Sequence, residues 1–153
     1  MHSRRAQDGF TLIEAMIALT LMAILATLAV PSFNDATLSS RLRASANNLA
    51  ASAHLARSEA IKRNADISLV PVETSWTKGW NIPHPTVAGE KLQAHAALTA
   101  ATVTGPDTLT YTSAGRVRDD ANPKFTVTAS NGNMRCIVVD LSGRPSIKTT
   151  NPC

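Results

Sequence analysis

The chain is short of charge, aromatic rings, cysteine and histidine. Asp, Glu, Lys and Arg make up 17% of its 153 residues, below the usual level of about 25%, and the deficit is concentrated at the front. Aromatic residues amount to 4%, so any core leans on aliphatic side chains. The two cysteines are Cys136 and Cys153, and no histidine follows His95; that inventory is too thin for a zinc site. His2, His54, His84 and His95 are scattered, and no G-x-S-x-G, H-E-x-x-H or phosphate-loop pattern occurs. The residues therefore argue against an enzyme and supply no metal or cofactor site. There is no internal repeat and no low-complexity tract.

What the chain does have is one long apolar run. From Phe10 to Val30 there are 21 residues and a single charge, Glu14. As a helix this run spans roughly 30 Å, the hydrocarbon thickness of a bilayer. It is too long for the core of an ordinary signal peptide, and no A-x-A cleavage site clearly ends it. Arg4 and Arg5 precede it and favour a cytoplasmic N-terminus. A plain anchor leaves Glu14 unexplained, because a carboxylate in lipid costs about 2.5–3.5 kcal/mol on insertion scales. Cutting between Gly9 and Phe10 supplies a counter-charge: the new α-amine of Phe10 lies one helical turn from Glu14, in the same chain or a neighbour. The net charge is +4. Removing residues 1–9 takes away Arg4, Arg5 and Asp8, a net +1, and leaves +3; that permits contact with a polyanion without demanding it.

The residues Gly9, Phe10, Thr11, Leu12, Ile13 and Glu14 resemble the class III signal of type IV pilins and pseudopilins. The resemblance implies a prepilin peptidase that cuts after Gly9 and N-methylates Phe10, and a docking role for Glu14 in a growing filament. Pro31 fits the same pattern, as a proline that kinks or locally melts the helix.

Beyond Pro31, Leu38, Leu42, Leu49, Ala53, Ala56 and Ala60 form an amphipathic stripe, with Arg41, Arg43, Asn47, Asn48, Arg57, Lys62 and Arg63 largely off it. Arg57 and Glu59 face different sides and read as solvated. Asn64 is the expected end of the helix. From Asp66 the period changes. ISLVPV, the segment around Trp80, LQAHAALTAATVT, TLTYTS, KFTVTAS and RCIVVDL read as strands, and residues 144–148 as a short last one. Turns are expected at Lys78-Gly79, Thr104-Gly105-Pro106, Ser113-Ala114-Gly115, Asn131-Gly132-Asn133 and Ser142-Gly143. Trp76 and Trp80 read as packing residues rather than a ligand-stacking pair. If the C-terminal part lies outside the cytoplasm, Cys136 and Cys153 are expected to form a disulfide.

Ala56, Arg57, Glu59, Ala60, Arg63 and Asn64, followed by Trp76, Gly79 and Trp80, resemble the GspH/FimT group of minor pilins and pseudopilins, closest to its FimT-type minor pilins. Tyr111 to Arg116, Arg135 to Val139 and Ser142-Gly143-Arg144 match as well. The implied fold is α+β: a long N-terminal helix, transmembrane in its first half, packed on an antiparallel β-sheet. The expected parts are a leader (1–9), a transmembrane and filament-core helix (10–30), its amphipathic second half (31–64) and a periplasmic β-sheet domain (65–153). The implied location is the bacterial inner membrane, single-pass with a cytoplasmic N-terminus, and then a pilus or pseudopilus. Implied partners are prepilin peptidase, other pilins or pseudopilins, and the inner membrane.

Some FimT-type pilins bind DNA for uptake in natural transformation through a C-terminal G-R-x-R motif. Gly143 and Arg144 match its first half; Ser146 stands at the fourth position, and Lys148 lacks the guanidinium fork. From composition alone the basic residues read as a solvated surface. The resemblance makes Arg144 and Lys148, helped by Arg116 and Arg118, the candidate contacts for double-stranded DNA. Two further readings stay open: a minor pseudopilin of type II secretion, and an assembly-priming pilin that binds no DNA.

Overall fold

The computed structural model describes residues 10–118, 122–149 and 153, without the side chains of residues 28–32. The leader, with Arg4, Arg5 and Gly9, lies outside the described residues. The main element is α1 (Leu12–Arg63). Thr11 opens it: its Oγ1 accepts the Glu14 N–H at 3.3 Å, the arrangement of an N-cap, and Glu14 stands in the first turn, where the helix dipole favours an anion. The helix runs on through Pro31, so the expected local melting there is not borne out.

The chain divides into two units, residues 1–36 and 37–153. In the first, every described side chain is exposed, including Phe10, Leu12, Ile13, Met16, Ile17, Leu21, Ile24 and Leu25. Thr20 and Thr27 return their hydroxyls to backbone carbonyls within the helix, leaving an almost wholly apolar surface. Among the described residues no helix is long and apolar enough to cross a membrane; the side chains of residues 28–32, which end the apolar run, are not among them.

In the second unit the helix buries Leu42, Ala46, Leu49, Ala50, Ala53, Ala56 and Ala60, three or four residues apart in the main. The alanines let the backbone lie close to the strands. Leu38, expected at the start of the stripe, is only half-buried. The helix stops where anticipated: Asn64 takes a φ of 49°, and the Ala65 and Asn64 amides return to the Ala60 and Ile61 carbonyls, a Schellman cap.

One sheet was expected and two are found. The strands are β1 (Ile67–Val72), β2 (Ser75–Pro83), β3 (Lys91–His95), β4 (Ala101–Thr104), β5 (Leu109–Tyr111), β6 (Lys124–Ala129), β7 (Met134–Val139) and β8 (Pro145–Lys148). Their orders are β3-β2-β1-β5 and β4-β6-β7-β8, antiparallel throughout. The run LQAHAALTAATVT splits into β3 and β4, which enter different sheets. Lys78-Gly79 is not a turn but lies inside β2. Gly79, at φ 107°, is needed because a Cβ would collide with the His95 carbonyl across the strand pair. The turn between β1 and β2 is made instead by Glu73 and Thr74, both at positive φ.

Alternate strand residues fill the core: Ile67 and Leu69, Trp80 and Ile82, Phe125 and Val127, Ile137 and Val139. Both tryptophans are structural. Trp76 meets Phe125 edge-on at 4.8 Å and donates to the Pro106 carbonyl. Trp80 stacks on His95, and its indole N–H is taken at 2.9 Å by Ser52 on the helix. Cys136 and Cys153 are joined in a disulfide.

Candidate nucleic-acid interface

The candidate cations are placed by two turns of the same build. In residues 112–116 the Gly115 amide donates to the Thr112 carbonyl at 2.7 Å and the Thr112 amide to the Arg116 carbonyl at 2.8 Å. In residues 140–144 the Gly143 amide donates to the Asp140 carbonyl at 2.8 Å and the Asp140 amide to the Arg144 carbonyl at 3.1 Å. Each is a tight turn closed by a left-handed glycine, with φ of 72° and 80°, and each glycine is followed by an arginine. This is the three-residue hairpin loop in which a glycine bulge follows the turn. Residues 129–133 repeat it around Gly132, but with Asn133 in place of arginine.

The two arginine-bearing turns are packed together. Both glycines are buried. A Cβ on Gly143 would run into the Gly115 carbonyl oxygen, with Arg57 Nε at 3.0 Å and Tyr111 Cε1 at 3.1 Å. A Cβ on Gly115 would run into Ile61 of the helix. Arg57 completes the cluster by donating its Nε–H to the Gly115 carbonyl at 2.9 Å. It is therefore not the solvated residue its helix position suggested. Glu59 has different partners, Arg63 at 2.5 Å and Lys62 at 3.5 Å, and the Arg63 hydrogen bond holds its carboxyl below the usual range.

Arg116 and Arg144 are exposed on adjoining turns. Lys148 lies opposite Cys136 in the β7–β8 pair, on the sheet face away from the core side of Ile137 and Val139. Arg135 occupies the other face, paired with core Val127, and so stands apart from Lys148. Arg118, expected to help contact DNA, makes an exposed ion pair with Asp66. Lys124, not anticipated from the sequence, shares the outer face with Lys148, because it pairs with Val138, which in turn pairs with Ser146. Its ammonium donates to the Cys153 carbonyl at 3.0 Å.

Asp140 brings an opposing charge into the cluster. The Asp140 carboxylate accepts from Ser142 Oγ at 2.6 Å and from the Arg144 amide at 2.9 Å. Those bonds, the Ser142 hydroxyl first, hold its carboxyl below the usual range. Beneath the turns, burial pushes the Tyr111 hydroxyl well above its ordinary value, and among the described residues it has no hydrogen-bond partner. Arg57 and Asp140 both lie near enough to act on it. Such a surface can bind a polyanion through hydrogen bonds and charge. Among the described residues no group of acidic, histidine or cysteine side chains could hold a metal.

A long N-terminal helix whose second half packs on antiparallel strands is the α+β architecture of the pilin fold. The chain belongs to the GspH family of minor pilins and pseudopilins: residues 45–143 match the model described as type II transport protein GspH. Residues 4–30 match the prokaryotic N-terminal methylation motif, which implies processing by a prepilin peptidase and assembly with other subunits. Among solved structures, the type IV minor pilin FimU of Pseudomonas aeruginosa is similar at 23% identity and a TM-score of 0.61, over 70% of this chain and 92% of its own. The minor pseudopilin EpsH of the Vibrio cholerae type 2 secretion system is similar at 13% identity and a TM-score of 0.57, over 71% and 97%. No curated protein matches the chain.

Proposed function

We propose that the chain is a minor type IV pilin whose sheet domain contacts double-stranded DNA, in support of DNA uptake in natural transformation. In this reading cleavage after Gly9 frees the Phe10 amine, which is N-methylated. Residues 10–30 rest in the bacterial inner membrane, with the leader cytoplasmic and the domain of residues 65–153 periplasmic, until Glu14 docks the helix into a filament. The exposed apolar surface of the first unit supports this, since it needs lipid or neighbouring helices to cover it. The subunit is structural, with no catalytic role.

The observation that supports the DNA reading is the packing of Gly143 against Gly115, the residues directly before Arg144 and Arg116. In this reading Arg116 supplies the second guanidinium that the linear motif lacks here, where Ser146 stands at its fourth position. Lys148 extends the cationic surface along β8. Arg118, paired with Asp66, contributes less. The full-length chain in detergent micelles, titrated with a short duplex at two salt concentrations, should bind in a salt-sensitive manner. The double variant Arg144→Gln, Lys148→Gln should bind more weakly, with a log–log salt slope smaller by about 2. Undetectable binding, or equal binding by the variant, removes DNA from the proposal. Assembly is tested separately: Glu14→Ala should be absent from sheared filaments, and normal incorporation would contradict the docking role.

The second reading is a minor pseudopilin of type II secretion, favoured by the family model's own description. Deleting the gene separates the two: loss of secreted enzymes with normal transformation selects the pseudopilin.

A further inference from the structure

We infer that Arg57 is a positioning residue for the two Gly-Arg turns, holding Arg116 and Arg144 as one phosphate-binding unit. The inference rests on the phosphate-binding reading of those two arginines. Nothing in the linear motif points to Arg57, which sits 58 residues before Gly115 on a helix otherwise given to core packing.

Three features assign the role. Arg57 spends its Nε–H on the carbonyl of Gly115, the residue directly before Arg116. The same nitrogen is 3.0 Å from the point a Cβ on Gly143 would occupy, so it lies beside the backbone directly before Arg144 as well. Ile61, one helical turn further on, seats Gly115 from below. The helix thus grips one turn, and that turn abuts the other. Two cations on independent loops each lose conformational freedom when they close on one strand. Two cations on a preassembled pair have lost much of it already. Arg57 supplies the preassembly, and as a half-buried residue it does so without reaching the nucleic acid.

The test compares wild type with Arg57→Gln, Arg57→Lys and Ile61→Ala, each full-length in micelles, by duplex titration across a salt series well below the melting midpoint. Arg57→Gln should lose roughly three- to tenfold in affinity, the size of one poorly preorganised side chain or two. Its salt slope should be unchanged, because no phosphate contact is removed. Arg57→Lys should not restore binding, since an ammonium cannot reproduce the planar Nε–H. Ile61→Ala, at a half-exposed position that tolerates truncation, should show a smaller loss of the same kind and keeps the question answerable if Arg57→Gln does not fold. Binding by Arg57→Gln equal to wild type would overturn the inference. So would full rescue by lysine, or a slope reduced by about 1, which would make Arg57 a direct contact. If wild type and an Arg116→Gln, Arg144→Gln variant bind alike, the phosphate reading itself fails and this inference fails with it. If that variant weakens binding while Arg57→Gln does not, only the inference is lost.

Discussion

Replacing Gly143 with alanine tests the centre of the site, because two separate penalties fall on one atom. The residue sits at φ 80°, where an L-side chain costs about 1–2 kcal/mol. The new methyl group would also lie closer to the Gly115 carbonyl oxygen than the 3.0 Å real Cβ atoms keep, with Arg57 and Tyr111 blocking retreat. Relieving such overpacking typically costs about 1–3 kcal/mol. The sum is about 2–5 kcal/mol. Gly132 is the internal control: its turn has the same build and a φ of 84°, but a Cβ there meets nothing within 4 Å. Gly132→Ala should therefore lose only the conformational part, about 1–2 kcal/mol. Equilibrium urea unfolding at 25 °C, followed by the fluorescence of Trp76 and Trp80, measures both, since the two indoles are buried in the sheet domain. Gly143→Ala should be the less stable of the pair by about 1–3 kcal/mol. If the two variants unfold together, the packed contact between the turns is not what the glycine is for.

The remaining predictions concern single interactions. Ser52→Ala strands the buried Trp80 indole N–H, whose acceptor is Ser52 Oγ, and should lower stability by about 1–3 kcal/mol in the same urea assay; a loss below half that range would mean water or another group takes its place. Converting Cys136 and Cys153 to serine opens a link of sequence separation 17 and should cost on the order of 3 kcal/mol, while free-thiol labelling of the unmutated protein should find none. Asp140 has a lowered folded-state pKa, so its ionised form contributes stability above the ordinary carboxylate range, and that contribution is lost as pH falls through the depressed folded value. The Arg144 amide resonance should consequently titrate with a midpoint below the roughly 3.9 of a free aspartate; a midpoint at or above it contradicts the turn geometry, and Asp140→Asn should abolish the titration.

Much of the local structure was legible because it depends on neighbours in the chain. The apolar run, the alanine stripe and the Asn64 stop are helix signals carried by residue type and by spacing of three or four. Most turns announced themselves through glycine. Lys78-Gly79 misled because glycine has two uses: it makes turns, and it lets another backbone come close. Inside β2 the second use applies, across from His95. The true turn at Glu73-Thr74 lacked the usual residues, since its positive φ values fall on side chains that seldom adopt them.

The site divides along the same line. The sequence by itself determined that residues 4–30 carry an N-terminal methylation motif, that glycine-arginine pairs stand at Gly115-Arg116 and Gly143-Arg144, and that Cys136 and Cys153 could pair, because each rests on residue type and short-range order. Only the tertiary structure decided that Gly115 and Gly143 touch, that Arg57 donates to the Gly115 carbonyl, that Lys124 shares the outer face with Lys148 and that Arg118 pairs with Asp66. Those facts follow from how strands far apart in the chain are ordered in two sheets beneath one helix. Spacing along a chain carries no information about which distant carbonyl a guanidinium will meet.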